Sequence, residues 1–232
     1  MRLNLILAAL VGLSAVATAA AAADAPYRYV PAHDDKSLGK VGAPVTVIEY
    51  GSVACPHCAA WDMEVFPAFK KKYIDTGKVR FVFREMLTGD PNLAAAGFVT
   101  ARCAPPAKYF DVVHAIMAQQ ERIYRSGQLR QPLVAIAKGV GLSEEALDKC
   151  LNDPKASDIV SARSDLNAAM EGVDSTPTFI VNGVKLVGEQ SLEALDKAIS
   201  GARPAAKPPV AAKKPAAKGA APKTPAAAAK KK

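Results

Sequence analysis

Four consecutive residues, Cys55-Pro56-His57-Cys58, are the ones in this chain best equipped for chemistry. Two cysteines three positions apart can close a disulfide across one helical turn. They follow the apolar run Val45-Thr46-Val47-Ile48 and precede a helical pattern of aromatics, so Cys55 falls where a helix begins. The unpaired N–H groups and positive dipole end at that place stabilise a thiolate. Pro56 suits the first helical turn, because the N–H it lacks would have no partner there. His57 adds a donor or a positive charge beside the Cys55 sulfur, which favours both the thiolate and its departure in disulfide exchange. Cys58, one turn deeper, is placed to collapse a mixed disulfide.

Other uses of the pair fit less well. A zinc knuckle needs four ligands, and no second close Cys/His pair occurs in the sequence. Haem attachment requires His directly after the second cysteine, where this chain has Ala59. A purely structural disulfide in so tight a loop would be strained and easily reduced.

The elements that must position the pair can be traced along the chain. Tyr27 to Val30 reads as a short extended piece, followed by a polar stretch containing His33, Asp34, Asp35 and Lys36. Val45 to Glu49 is short, β-branched and bounded by turn signals, as a fully buried strand should be. Trp61, Val65, Phe66, Phe69 and Tyr73 have helical spacing, with Pro67 expected to kink that helix. Val79 to Phe83 is a second strand, completing a right-handed βαβ unit. Helical patterns follow at Leu93–Cys103, Lys108–Gln120, Leu133–Val140, Ser143–Leu151 and Pro154–Gly172. Strands return at Thr178–Val181 and Val184–Val187 around the turn Asn182-Gly183, and a helix from Leu192 to Ile199, capped by Ser191, ends the body. The fold class is α/β: a thioredoxin-like fold carrying an inserted all-helical domain. Its halves fall at residues 24–90 and 173–201, with the insertion at 91–172. A CxxC beside a βαβ unit is a redox signal.

Both ends differ from this body. Residues 1–23 combine a positive start, an apolar segment from Leu3 to Val16 and small-x-small sites before Asp24, as a cleaved export signal does. Export implies an oxidising compartment, here the periplasm, where cysteine pairs persist. Residues 202–232 form an Ala/Pro/Lys-rich basic tail with no acid, expected to be disordered. Its nine positive charges exceed the net +8 of the whole chain, which leaves the body near neutral and argues against a nucleic-acid groove.

Ile48-Glu49-Tyr50, Cys55-Pro56-His57-Cys58, Phe66-Pro67 and Thr176-Pro177-Thr178-Phe179 together resemble the DsbA-like thiol-disulfide oxidoreductase family, from about Val41 to Ile199. DsbA is a standard example of a strongly oxidising, low-pKa cysteine, and that expectation is inherited through the resemblance. The resemblance implies that Thr176-Pro177 faces the disulfide with Pro177 cis, leaving the Thr176 backbone free to pair with a substrate strand. Glu49 is similar to the family's buried acid, placed to exchange protons with Cys58 through water; a salt-bridged or solvent-facing Glu49 is the alternative. Four cysteines allow three pairings. By likeness to family members with a second bridge, Cys103 and Cys150 are expected to form a structural disulfide, with two buried free thiols as the alternative. His114, in an apolar helix pattern, reads as a packing residue. Trp61 either fills the core or lines a substrate surface.

These residues imply an exported dithiol oxidase, monomeric and without a cofactor, that passes its Cys55–Cys58 disulfide to newly translocated proteins. By the same resemblance a membrane quinone-linked partner of the DsbB type reoxidises it. The rival readings are a reductase or isomerase on the same fold, and a module holding a soft metal ion on the CxxC.

Overall fold

The computed structural model describes residues 34–170 and 172–202. The expected export signal, the extended piece at Tyr27–Val30 and the basic tail from Arg203 lie outside the described residues.

The central strand is β2 (Val45–Gly51), buried at every position. It needs both faces covered, and its neighbours supply the cover. β2 runs parallel to β3 (Val79–Glu85), with Val47 opposite Phe81 and Glu49 opposite Phe83. On its other side it runs antiparallel to β4 (Thr178–Val181). A short edge strand, β1 (Lys36–Leu38), pairs with β3, and β5 (Val184–Val187) pairs with β4. The sheet order is therefore β1-β3-β2-β4-β5. Val47, Phe81, Phe83 and Phe179 point to one side and join the main core. Ile48, Tyr50, Val82 and Ile180 point to the other and form a smaller cluster with Met86 and Val173, as strand alternation requires.

Between β2 and β3 the chain forms α1 (Pro56–Glu64), breaks at Val65, and resumes as α2 (Phe66–Phe69) with one wider π turn at Lys70–Ile74. Pro67 causes the break, since it has no N–H to return to the Met63 carbonyl. Trp61 is 1% exposed and packs 4.7 Å from the Phe179 ring, with Phe66, Phe69 and Phe81 around it. It is a core residue.

Helices alone occupy the described chain between β3 and β4: α3 (Pro91–Cys103), α4 (Tyr109–Ser126), α5 (Arg130–Gly139), α6 (Glu144–Leu151) and α7 (Pro154–Met170), with a 3₁₀ turn at Pro106–Lys108. Their ends are marked chemically. Asp90 caps α3 by accepting from the Leu93 N–H at 2.8 Å, and Ser143 caps α6. Gly127, at φ 64°, closes α4 in the left-handed conformation that glycine adopts without penalty. α4 thus runs six residues past the expected Gln120. After β5, α8 (Leu192–Gly201) is capped by Ser191. The β4–β5 turn places Asn182 and Gly183 at positive φ, the geometry a two-residue hairpin demands.

Glu85, at the end of β3 and fully buried, fastens the helical insertion to the sheet. Its carboxylate accepts from Arg102 Nε of α3 at 2.8 Å, Tyr109 Oη of α4 at 2.8 Å and Arg163 Nε of α7 at 3.1 Å. Its carbonyl accepts from Asn167 Nδ2 at 2.9 Å. Cys103 of α3 and Cys150 of α6 are disulfide-bonded, with their Cα atoms 6.4 Å apart.

Candidate active site

Cys55 sits at the N-cap of α1 in an extended conformation, with Pro56 the first helical residue. The loop that delivers it is held at each peptide. Ser52 Oγ donates to the Thr88 carbonyl at 2.7 Å and accepts from the Ala54 N–H at 3.1 Å. Gly89, at φ 84°, lies so close that an added Cβ would stand 2.2 Å from the Ala54 carbonyl oxygen. From α4, Gln120 Nε2 donates to the Val53 and Cys55 carbonyls at 2.8 and 3.2 Å, and Tyr124 Oη donates to the Ala54 carbonyl. Every carbonyl from 53 to 55 is therefore occupied by the helical insertion. The loop cannot turn its carbonyl oxygens toward the sulfur, whose local partners are the N–H groups of the helix start.

Cys55 and Cys58 are both free thiols here. Their environments push their acidities apart. The Cys55 thiol is lowered to about 5, chiefly by the hydrogen bond it receives from Cys58; partial burial opposes this, while Thr176 and the backbone N–H groups of Cys58 and His57 assist. Cys58 is wholly buried, and that burial pushes its thiol far upward, helped by the hydrogen bond to Cys55 and by the negative charges of Glu49 and Cys55. Its sulfur accepts the Ser52 N–H at 3.4 Å. Near neutrality one sulfur favours the anion and the other the protonated thiol.

The cis peptide bond Thr176–Pro177 lies opposite Cys55. As a thiol, Cys55 Sγ donates to the Thr176 carbonyl at 3.3 Å, and the Thr176 hydroxyl is hydrogen-bonded to that of Thr88 at 2.6 Å. Glu49 lies on β2, 2% exposed, and its Oε1 has no hydrogen-bond partner. Among the described residues it faces neither solvent nor a cation. Burial holds its carboxyl well above the usual range, with the negative charges of Asp62 and Cys55 adding to the effect. His57 is exposed, and its Nδ1 meets Glu189 Oε1 at 2.5 Å. That hydrogen bond raises the proton affinity of the imidazole. His114 packs against the Phe66 ring and is bonded to buried Asp62.

A family model described as thioredoxin matches residues 32–201. The crystal structure of Wolbachia pipientis α-DsbA1 has the same fold at a TM-score of 0.67 and 29% identity, covering 74% of this chain and 92% of that one. The chain is a DsbA-like member of the thioredoxin family. Disulfide bond formation protein D of Bacillus subtilis is 32% identical over 148 residues, 62% of this chain and 66% of its own length. A Rickettsia conorii protein, whose name assigns it provisionally to the protein-disulfide oxidoreductases, is 37% identical over 167 residues, 72% of this chain. The match spans 59% of that relative's length.

Within this DsbA-like site the residues that sequence reasoning missed are Ser52, Gln120, Tyr124 and Glu189. Gln120 and Glu189 reach the active-site turn across 65 and 132 positions, from elements whose own patterns carry no mark of it. Tyr124 stands beyond the point where the apolar periodicity of α4 fades into Glu121, Arg122 and Arg125.

Proposed function

We propose that the chain is an exported thiol:disulfide oxidoreductase that introduces disulfides into newly translocated proteins through Cys55–Cys58. The observation that carries this reading is the divergence of the two sulfurs, Cys55 lowered to about 5 and Cys58 pushed far upward at the start of one helix. A dithiol whose outer sulfur is stabilised as an anion favours the reduced form, so its disulfide is a strong acceptor of electrons.

In the forward step a substrate thiolate attacks Cys55 Sγ, the Cys55–Cys58 bond breaks, and Cys58 leaves as a thiolate. Buried, that thiolate must take a proton. Glu49, protonated in its apolar setting, supplies it through water and is later recharged from solvent. A second substrate thiolate then attacks the substrate sulfur of the mixed disulfide, releasing Cys55 as the stabilised anion. Two electrons have passed from the substrate dithiol to the enzyme. Pro56 keeps the first turn of α1 open toward the sulfur, and Pro177 offers no N–H to compete for a strand that pairs with the Thr176 backbone. Cys103–Cys150 is a structural bridge in this scheme, away from the exchange.

The reduced enzyme needs an oxidant, and the family likeness supports a membrane quinone-linked partner of the DsbB type. The leader at residues 1–23 supports a periplasmic location, and the working unit is a monomer. Equilibration with glutathione buffers tests the direction of the reaction. An oxidase should give a potential above about −180 mV, whereas a value near the thioredoxin potential of about −270 mV would contradict it.

A further inference from the structure

The loop between β5 and α8 is fastened on two sides. The Gly188 N–H donates to the Pro177 carbonyl at 2.8 Å, and the Gln190 carbonyl accepts the Trp61 indole N–H at 2.9 Å. The Gln190 amide also donates back to the Val187 and Gly188 carbonyls. Trp61 is anchored in the core and stands one helical turn beyond His57, on the same face of α1. Glu189 lies between these two anchored residues. The fold therefore presents its carboxylate to His57, where it is hydrogen-bonded to Nδ1.

We propose that Glu189 is a positioning residue for exchange at Cys55, holding His57 as an imidazolium and setting the pH range over which that charge stands beside the sulfur. This inference rests on the function proposed above. The titratable groups acting on His57 are Glu189 from the loop and Cys55 at the start of its own helix. Those around Cys55 are Cys58 and His57 of α1, Glu49 of β2 and Tyr124 of α4.

Glu189 has two opposed effects. It keeps His57 protonated to higher pH, and its own charge offsets that of the imidazolium. In acid His57 is protonated with or without Glu189, so loss of the carboxylate leaves more positive charge beside Cys55 and favours the sulfur anion. In mild alkali loss of Glu189 lets His57 shed its proton, and the anion is favoured less. Both side chains are exposed, so the pair contributes little to folding. Its effect falls on protonation.

The test uses the full chain and the variant Glu189→Gln, with Glu189→Asp as the conservative rescue. NMR titration of the His57 imidazole should show its midpoint falling in Glu189→Gln and returning in Glu189→Asp. The glutathione equilibrium constant, variant over wild type, should exceed one at about pH 5.5 and drop below one at about pH 8, a change of about two- to threefold across the range for an exposed pair. A His57 midpoint that does not move would overturn the inference, as would a ratio independent of pH, which is what a merely structural role produces. Failure of the proposed function has a different signature, since it would appear in wild type as an unperturbed Cys55.

Discussion

A buried carboxyl without a partner is expensive to keep, and Glu49 shows where the expense falls. Its folded-state affinity for a proton is raised, so the folded state binds that proton more tightly than the unfolded chain does. The penalty is absent below the ordinary carboxyl value of 4.5 and grows as pH rises above it. Glu49→Gln should therefore stabilise the protein at pH 7, by about 1 kcal/mol or more, and lose that advantage near pH 4. Chemical denaturation at the two pH values measures this. The same variant should slow exchange with substrate dithiols, because it has no proton to give to Cys58. Equal stability gains at both pH values would mean that folding does not raise the proton affinity of Glu49, and would contradict this reading. Cys55 works in the opposite sense. Its lowered value contributes stability to the reduced protein that is complete above about pH 9 and lost as pH falls to about 5.

At the scale of elements, α4 is what holds the active-site loop. Gln120→Ala would leave the buried Val53 carbonyl without its donor and the Cys55 carbonyl with the Ala59 N–H alone, at a cost of about 1–3 kcal/mol. Thermal denaturation reads that cost, and a change within a few tenths of a kcal/mol would contradict it. The elements differ in how far the sequence announced them. β2 and β3 were legible because each is short, rich in β-branched and aromatic residues, and lies between turn signals, as a buried parallel strand does. The β4–β5 hairpin was legible from Asn182-Gly183. β1 was not, since Lys36-Ser37-Leu38 is too short to hold a pattern and becomes a strand only by pairing with β3. The C-terminal turns of α4 were hidden for a related reason: Arg122 and Arg125 face outward, and Tyr124 serves a loop distant in sequence. In the site, residues with chemistry of their own stood out in the sequence, whereas Gln120 and Glu189 became visible only through their contacts.

Across the whole molecule, the insertion and the sheet are joined by buried charge. Glu85 is met by cations from α3 and α7 and by a tyrosine from α4, so Glu85→Ala would take from Arg102 and Arg163 the carboxylate they share, leaving Asp34 beside the first and Asp35 beside the second. Breaking a buried pair from one side costs about 3–5 kcal/mol where the cation is left uncompensated, so with Asp34 and Asp35 still in place the loss should be about 3 kcal/mol or less. Equilibrium unfolding should show that loss, and a variant as stable as wild type would mean that the cations rearrange to other partners. Because α4 also carries Gln120, loosening this joint should weaken the hold on the active-site loop as well. No helix among the described residues is long and apolar enough to cross a membrane.

The fold makes position 55 a far better home for a sulfur anion than free solution is. The pH dependence of Cys55 alkylation in the reduced protein measures this directly. Reactivity should rise with a midpoint near pH 5, while Cys58 stays protected. A midpoint near 8.5, where an ordinary cysteine ionises, would contradict the account.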